Sequence, residues 1–270
     1  MRFPILLKAA LSALVLFALV SGFVPKKKVT PTLYIIGDST VRNSNKPQAG
    51  WGTFFGELLD TTRIRVSNQA MAGRSTRTFI KEGRWERVLS ALKPGDYVIM
   101  QFGHNEGSVP DTSRAGYRGV LKGTGDETKA LTWQDGTVEL VHTYGWYLRK
   151  FAQEAKAKGA TPIIASMIPR NQWKEDKVIR AGDTYGAWAQ EVARSEKVYF
   201  VDLNRITADK YDQLGPGQVK ALFPGDHTHT NEAGARINAA SVLEGLQEKK
   251  KHPLRKYVAV AAAKPPVHSR

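Results

Sequence analysis

Apolar residues are distributed along this 270-residue chain in two rhythms. Five short runs are almost continuously apolar: residues 33–37 (LYIIG), 63–68 (RIRVSN), 97–102 (YVIMQF), 161–166 (TPIIAS) and 198–202 (VYFVD). Strands covered on both faces read this way, whereas a strand with one wet face alternates. Between the runs, apolar side chains return at helical spacing. Over 142–158, Tyr144, Tyr147, Leu148, Phe151 and Ala155 share one face; over 232–247, Ala233, Ile237, Ala240, Leu243 and Leu246 do the same. Strands and helices in alternation predict an α/β domain, with a parallel sheet between helical layers.

An apolar content of 41% over this length is enough for one large core, placed at residues 32–248. The stretch 106–139 is polar and glycine-rich, too long for an ordinary strand-to-helix connection. It leaves the carboxyl end of the third strand, where open α/β sheets keep their ligands.

The net charge of +15 changes meaning once it is located. Residues 1–28 hold five Lys/Arg and residues 249–270 hold seven, neither with an acid, so the body carries 28 bases against 25 acids. Nucleic acid is therefore not an expected partner, since the body shows no stripe of interleaved basic and aromatic residues. The end, 249–270, reads as a basic, disordered tail. With no cysteine, the chain has no disulfide, thiolate metal site or cysteine nucleophile. MRFPILLK, the apolar run 9–20 and small residues ending at Gly22 read as a signal peptide, 1–22, followed by a basic linker, 23–31. The rival is an uncleaved anchor over residues 5–24. The expectation is an exported monomer, periplasmic or secreted, with no stable membrane insertion once the signal is removed.

Candidate chemistry sits at strand ends. The first strand runs into GDST and Ser39, the second into NQAMAG and Gly73, the third into GHNE and Asn105. Singly, each is an ordinary turn or cap residue. In a doubly wound sheet of order 2-1-3-4-5 the three strands are neighbours and their loops share one edge. Ser39 could then attack an ester carbonyl, with its own N–H, the Gly73 N–H and the Asn105 amide donating to the oxyanion. A serine needs a base, and FPGDHTHTNEAGA near the C-terminus supplies Asp226 and His229, three residues apart. At that spacing the carboxylate can take the Nδ1–H and leave Nε2 to face Ser39. His227 receives no role. Asp226, His227, His229 and His104 are also metal-ligand types, but the mature chain has no HExxH and consecutive Asp-His suits one ion poorly. No metal and no cofactor is expected.

Taken together, GDST, NQAMAG, GHNE and DHTH resemble the four blocks of the SGNH (GDSL-type) hydrolase family, over residues 32–246. Within it the chain looks most like the rhamnogalacturonan acetylesterases, on IIGDSTV, QFGHNE, GTGDET, VHTYGWYLRKF, IPRNQW and FPGDHTHTNEAGA. The resemblance implies a flavodoxin-like three-layer α/β/α sandwich and catalytic Ser39, Asp226 and His229. It further implies removal of acetyl groups from galacturonate residues of rhamnogalacturonan, an acetylated polysaccharide, with no metal or cofactor. Other acetylated glycans such as xylan, lipid esters, or non-catalytic carbohydrate binding are the alternatives. Glu106 departs from the pattern, in which aspartate is expected after GHN. Arg74, Arg77 and Arg170, near strand ends, are candidates for gripping substrate carboxylates, against the plainer reading of surface or cap arginines.

Overall fold

The computed structural model describes residues 29–182, 184–248 and 252–260. The expected signal peptide lies outside them. The strands are β1 (Thr32–Gly37), β2 (Arg65–Asn68), β3 (Tyr97–Gln101), β4 (Thr128–Thr132), β5 (Val138–His142), β6 (Thr161–Ala165), β7 (Trp173–Lys174), β8 (Lys177–Val178) and β9 (Tyr199–Val201). The helices are α1 (Thr76–Lys81), α2 (Arg84–Ala91), α3 (Tyr144–Ala157), α4 (Tyr185–Ser195), α5 (Leu203–Lys220) and α6 (Glu232–Glu248).

All five apolar runs become strands of one parallel sheet, in the order β2-β1-β3-β6-β9, which is the expected 2-1-3-4-5. Successive side chains leave a strand on opposite faces, so each strand feeds two cores. Leu33, Ile35, Ile99 and Ile163 enter one core with Trp51, Phe55 and α6 residues Val242 and Leu246. Ile36, Val98, Met100 and Ile164 enter the other with Phe79, Trp85, Phe151 and Val192 of α1 to α4. This is the three-layer sandwich.

Three expectations change on contact with the structure. The stripe assigned to 232–247 is rotated: Ala233 and Ala240 are exposed, and α6 buries Ala235, Asn238, Ala239, Val242, Leu243 and Leu246. Asn238 is a polar residue on that core face because it accepts a hydrogen bond from the Tyr211 hydroxyl, 3.3 Å away. The long polar stretch 106–139 is ordered through a 3-10 turn, Gly116–Arg118, and the antiparallel hairpin β4–β5.

The third correction concerns the C-terminal tail, expected to be disordered over 249–270. Residues 252–260 are docked: Leu254 and Tyr257 are buried in the first core, and the Asp60 N–H donates to the Tyr257 carbonyl at 2.7 Å. Their spacing of three puts both apolar side chains on one side of the turn Pro253–Tyr257 while Arg255 and Lys256 face solvent. Charge count alone hid that amphipathic spacing. Residues 249–251 and 261–270 lie outside the described residues. Among the described residues no helix is long and apolar enough to cross a membrane.

Candidate active site

Gly37 closes β1 where only a glycine fits: a Cβ there would lie 2.4 Å from the Gln101 carbonyl oxygen of β3. The next residue, Asp38, is fully buried and uses Oδ1 to accept from the Thr40 N–H (2.8 Å) and hydroxyl (2.7 Å), turning the chain sharply. Burial pushes Asp38 up to about 6 against the pull of those Thr40 bonds and of the His104 N–H. Ser39 stands on this turn, 6% exposed.

Its Oγ lies 2.8 Å from Nε2 of His229, across 190 residues of sequence. His229 Nδ1 is in turn 2.7 Å from Asp226 Oδ2. Asp226 Oδ1 accepts the backbone N–H groups of Thr228 (2.7 Å) and His229 (2.8 Å), so the short turn orients its own acid. Partial burial would raise the Asp226 pKa, but the hydrogen bonds from His229 and Thr228 bring it down to about 2. An ionised carboxylate only accepts, which puts the imidazole proton on Nδ1 and leaves Nε2 as an acceptor facing the Ser39 hydroxyl. The arrangement is a serine, a base and an orienting acid in hydrogen-bonded series.

Gly73 has φ +75°, and its Cβ side is open. Its loop runs beside the end of β1, since the Met71 N–H donates to the Gly37 carbonyl at 3.0 Å. Asn105 follows the turn at Gly103, whose φ of +134° favours glycine, and its Nδ2 donates to the Arg74 carbonyl at 3.1 Å, joining the Gly73 and Asn105 loops. All three expected strand-end loops are therefore bonded to one another around Ser39.

The polar neighbours sort differently from expectation. Glu106 is fully buried and ties the two loops together: one carboxyl oxygen accepts from Thr76 N–H (2.8 Å), the other from Gly103 (3.1 Å) and Asn105 (2.9 Å). Burial, then the Asp38 charge, pushes it up to about 8 against those three donors. The departure from aspartate at this position is thus a structural tie under the loop.

Arg77 does not face substrate. It is 1% exposed, gripping both oxygens of Glu139 (2.7 and 2.9 Å) and the carbonyls of Gly116 and Gly119. Arg74 is also occupied, with Nε 3.0 Å from both oxygens of Glu82. Both were candidates because loop position alone does not reveal a partner 62 or 8 residues away. Arg170 differs. It makes no ion pair among the described residues, donates to the His104 carbonyl at 3.3 Å, and lines a cavity of about 370 Å³ with Gly103, His104 and Tyr185.

His104 itself is held neutral. Burial, and then the Arg170, His229 and His227 charges, push it down to about 3. His227 is exposed and offers its carbonyl to Asn171. Among the described residues no three His, Asp or Glu side chains gather into a group that would hold a metal ion. Sequence reasoning missed Arg118, whose Nη1 donates to Asn105 Oδ1 at 2.9 Å.

An α/β/α sheet carrying a Ser-His-Asp series at the carboxyl ends of its strands defines a serine hydrolase architecture. Residues 35–237 match the model of the GDSL-like Lipase/Acylhydrolase family, and the chain belongs to that family. It is a carboxylic ester hydrolase. It is 34% identical over 215 residues to a rhamnogalacturonan acetylesterase of Emericella nidulans, covering 80% of this chain and 84% of that one. To the rhamnogalacturonan acetylesterase RhgT of Bacillus subtilis it is 30% identical over 234 residues, covering 80% and 89%. The solved structure of B. subtilis YxiM superposes with a TM-score of 0.67 at 27% identity, covering 83% of this chain and 58% of that one. Axe2, an acetylxylan esterase from Geobacillus stearothermophilus, shares the fold with a TM-score of 0.56 at 22% identity, covering 80% and 93%.

Proposed function

We propose that the protein removes acetyl groups from the galacturonate residues of acetylated rhamnogalacturonan through an acetyl-enzyme intermediate. The observation that carries the chemistry is the hydrogen-bonded series from Ser39 Oγ through His229 to Asp226, with both links under 3 Å. His229 Nε2 takes the hydroxyl proton as Ser39 Oγ bonds to the acetyl carbon. The carbonyl electrons move onto its oxygen, which the N–H groups of Ser39 and Gly73 and the Asn105 amide receive. On collapse the sugar oxygen departs and takes the proton back from Nε2. Water then gives a proton to His229 and bonds to the acetyl carbon; Ser39 leaves, recovers the proton, and acetate is released. Asp226 holds the tautomer and stabilises the imidazolium throughout.

The polysaccharide assignment rests on the relatives named rhamnogalacturonan acetylesterase and on Arg170, a guanidinium beside the Asn105 loop with no carboxylate partner among the described residues. Measuring acetate released from acetylated rhamnogalacturonan, acetylated xylan and a lipid ester tests it. Clear preference for rhamnogalacturonan is the expected outcome; preference for xylan or lipid ester overturns the substrate while leaving the esterase.

Arg170→Met should lower kcat/KM on the acidic polymer about tenfold or more, on the order of one charged hydrogen bond, with little change on a neutral acetyl ester. An equal loss on both substrates refutes a carboxylate-binding role. Asn105→Ala should cost about 10²–10³ in kcat, the usual worth of one oxyanion donor. Steady-state rates on 4-nitrophenyl acetate measure it, and an unchanged kcat removes Asn105 from the oxyanion hole. The same proposal includes export with removal of residues 1–22, checked by N-terminal sequencing of the mature protein.

A further inference from the structure

Asn105 can serve an oxyanion only with its amide turned one way round. The side chain has two N–H donors on one end and an acceptor oxygen on the other. Rotated by half a turn, it would present that oxygen to the developing negative charge. Two contacts set the orientation. The Arg74 carbonyl can accept only from Nδ2, and Arg118, a pure donor, can meet only Oδ1. With one Nδ2 hydrogen on Arg74, the second has no partner among the described residues and remains for the substrate.

Arg118 brings more than a fixed direction. Arg74, Arg77, Arg180 and Arg236 each face a carboxylate at 3.0 Å or less, whereas Arg118 makes no ion pair among the described residues and stands on Asn105. No carboxylate among the described residues pairs with it, and a cation donating to Oδ1 polarises the amide so that the free N–H becomes a stronger donor.

The turn that carries it is built to hold still. Gly116 and Gly119 offer their carbonyls to the buried Arg77, the Val120 N–H donates to the Glu106 carbonyl at 3.2 Å, and a Cβ on Gly119 would lie 2.2 Å from the Ser108 carbonyl oxygen. The glycine-rich stretch thus delivers one cation to the back of one amide.

We propose that Arg118 is a positioning residue for the oxyanion hole, fixing and polarising the Asn105 amide. The inference rests on the oxyanion role given to Asn105 above. It is tested by a double-mutant cycle on 4-nitrophenyl acetate, a small neutral ester with no carboxylate for Arg118 to bind. Arg118→Met is expected to lower kcat about 10- to 100-fold, a part of what the amide supplies, with KM changed less than about twofold. Arg118→Lys, which keeps the charge, should recover part of the loss. In an Asn105→Ala background Arg118→Met should cost less than about twofold, because residues acting through one another are not additive.

Thermal unfolding of each variant separates folding damage from this effect, and Arg118→Lys supplies a second test if the methionine variant melts. An equal Arg118→Met loss in both backgrounds, or none in either, overturns the proposal while the esterase mechanism stands. A lysine variant no better than methionine overturns the role of the charge. If Asn105→Ala alone leaves kcat unchanged, it is the oxyanion reading of Asn105 that falls.

Discussion

Ser39→Ala is expected to reduce acetate release by about 10⁴-fold or more while leaving the protein folded. Removing the nucleophile of a serine hydrolase abolishes the covalent route, and what survives comes from the oxyanion donors and binding alone. At 1.36 kcal/mol per tenfold, a loss of that size is on the order of 5 kcal/mol in the barrier. Ser39 is small and its side-chain hydrogen bond among the described residues is to His229, so alanine should fit without a cavity. His229→Ala should cost a similar factor, and the double variant little more, because the two act as one unit. A fluorophosphonate probe should label the wild type and not Ser39→Ala. Retention of more than about one part in a hundred of the wild-type rate would remove Ser39 from the chemistry.

The largest expected effect on stability belongs to Arg77. Arg77→Met leaves the partly buried Glu139 without its bidentate partner and strips the Gly116 and Gly119 carbonyls of their donor. Breaking one side of a buried ion pair costs about 3–5 kcal/mol. For a domain of this size that corresponds to a drop in Tm on the order of 10 °C. Lys81 (2.6 Å) and the Trp133 indole (2.9 Å) still reach Glu139, which tempers the loss.

The same pair gives a pH dependence. Burial alone would raise Glu139, but hydrogen bonds and charge from Arg77 and Lys81 bring it from 4.5 to about 2. A carboxyl depressed on folding stabilises the native state fully above its unfolded value, and that contribution fades as protons return. The wild type should therefore lose stability from this group as the pH falls from about 4.5 to about 2, by less than the full shift implies because solvent screens a partly exposed pair. Chemical denaturation across that window measures it. In Glu139→Gln that limb should flatten; an unchanged slope would mean that other carboxylates govern acid unfolding.

How far the sequence was legible follows from which interactions are local. The central strands were readable because LYIIG and YVIMQ are buried on both faces and leave no room for a polar phase. Asp226 and His229 were readable because three residues separate them and a carboxylate needs no more to reach an imidazole. The α6 face was misplaced because alanine is neutral evidence of burial, and a tyrosine 27 residues upstream gave Asn238 its partner. Arg77 looked like a substrate ligand until a hairpin 62 residues on supplied Glu139. Hairpin β4–β5 was hidden because its apolar positions are split: Val138 and Leu140 face solvent at 60% and 54% exposure, while Leu131 and Val141 are buried.

Under the proposed mechanism, the order of these residues along the chain sets when it can act: Asp226 and His229 are three residues apart, and His229 is 190 residues beyond Ser39. The proposed acid and base come as a single cassette from a turn in the last quarter of the polypeptide, whereas the proposed nucleophile is translated near its start. A partial chain ending before that turn would hold Ser39 and the loops of Gly73 and Asn105 but not the proposed base. On that mechanism, reactivity toward esters is expected only once the final helix seats and brings His229 to Ser39.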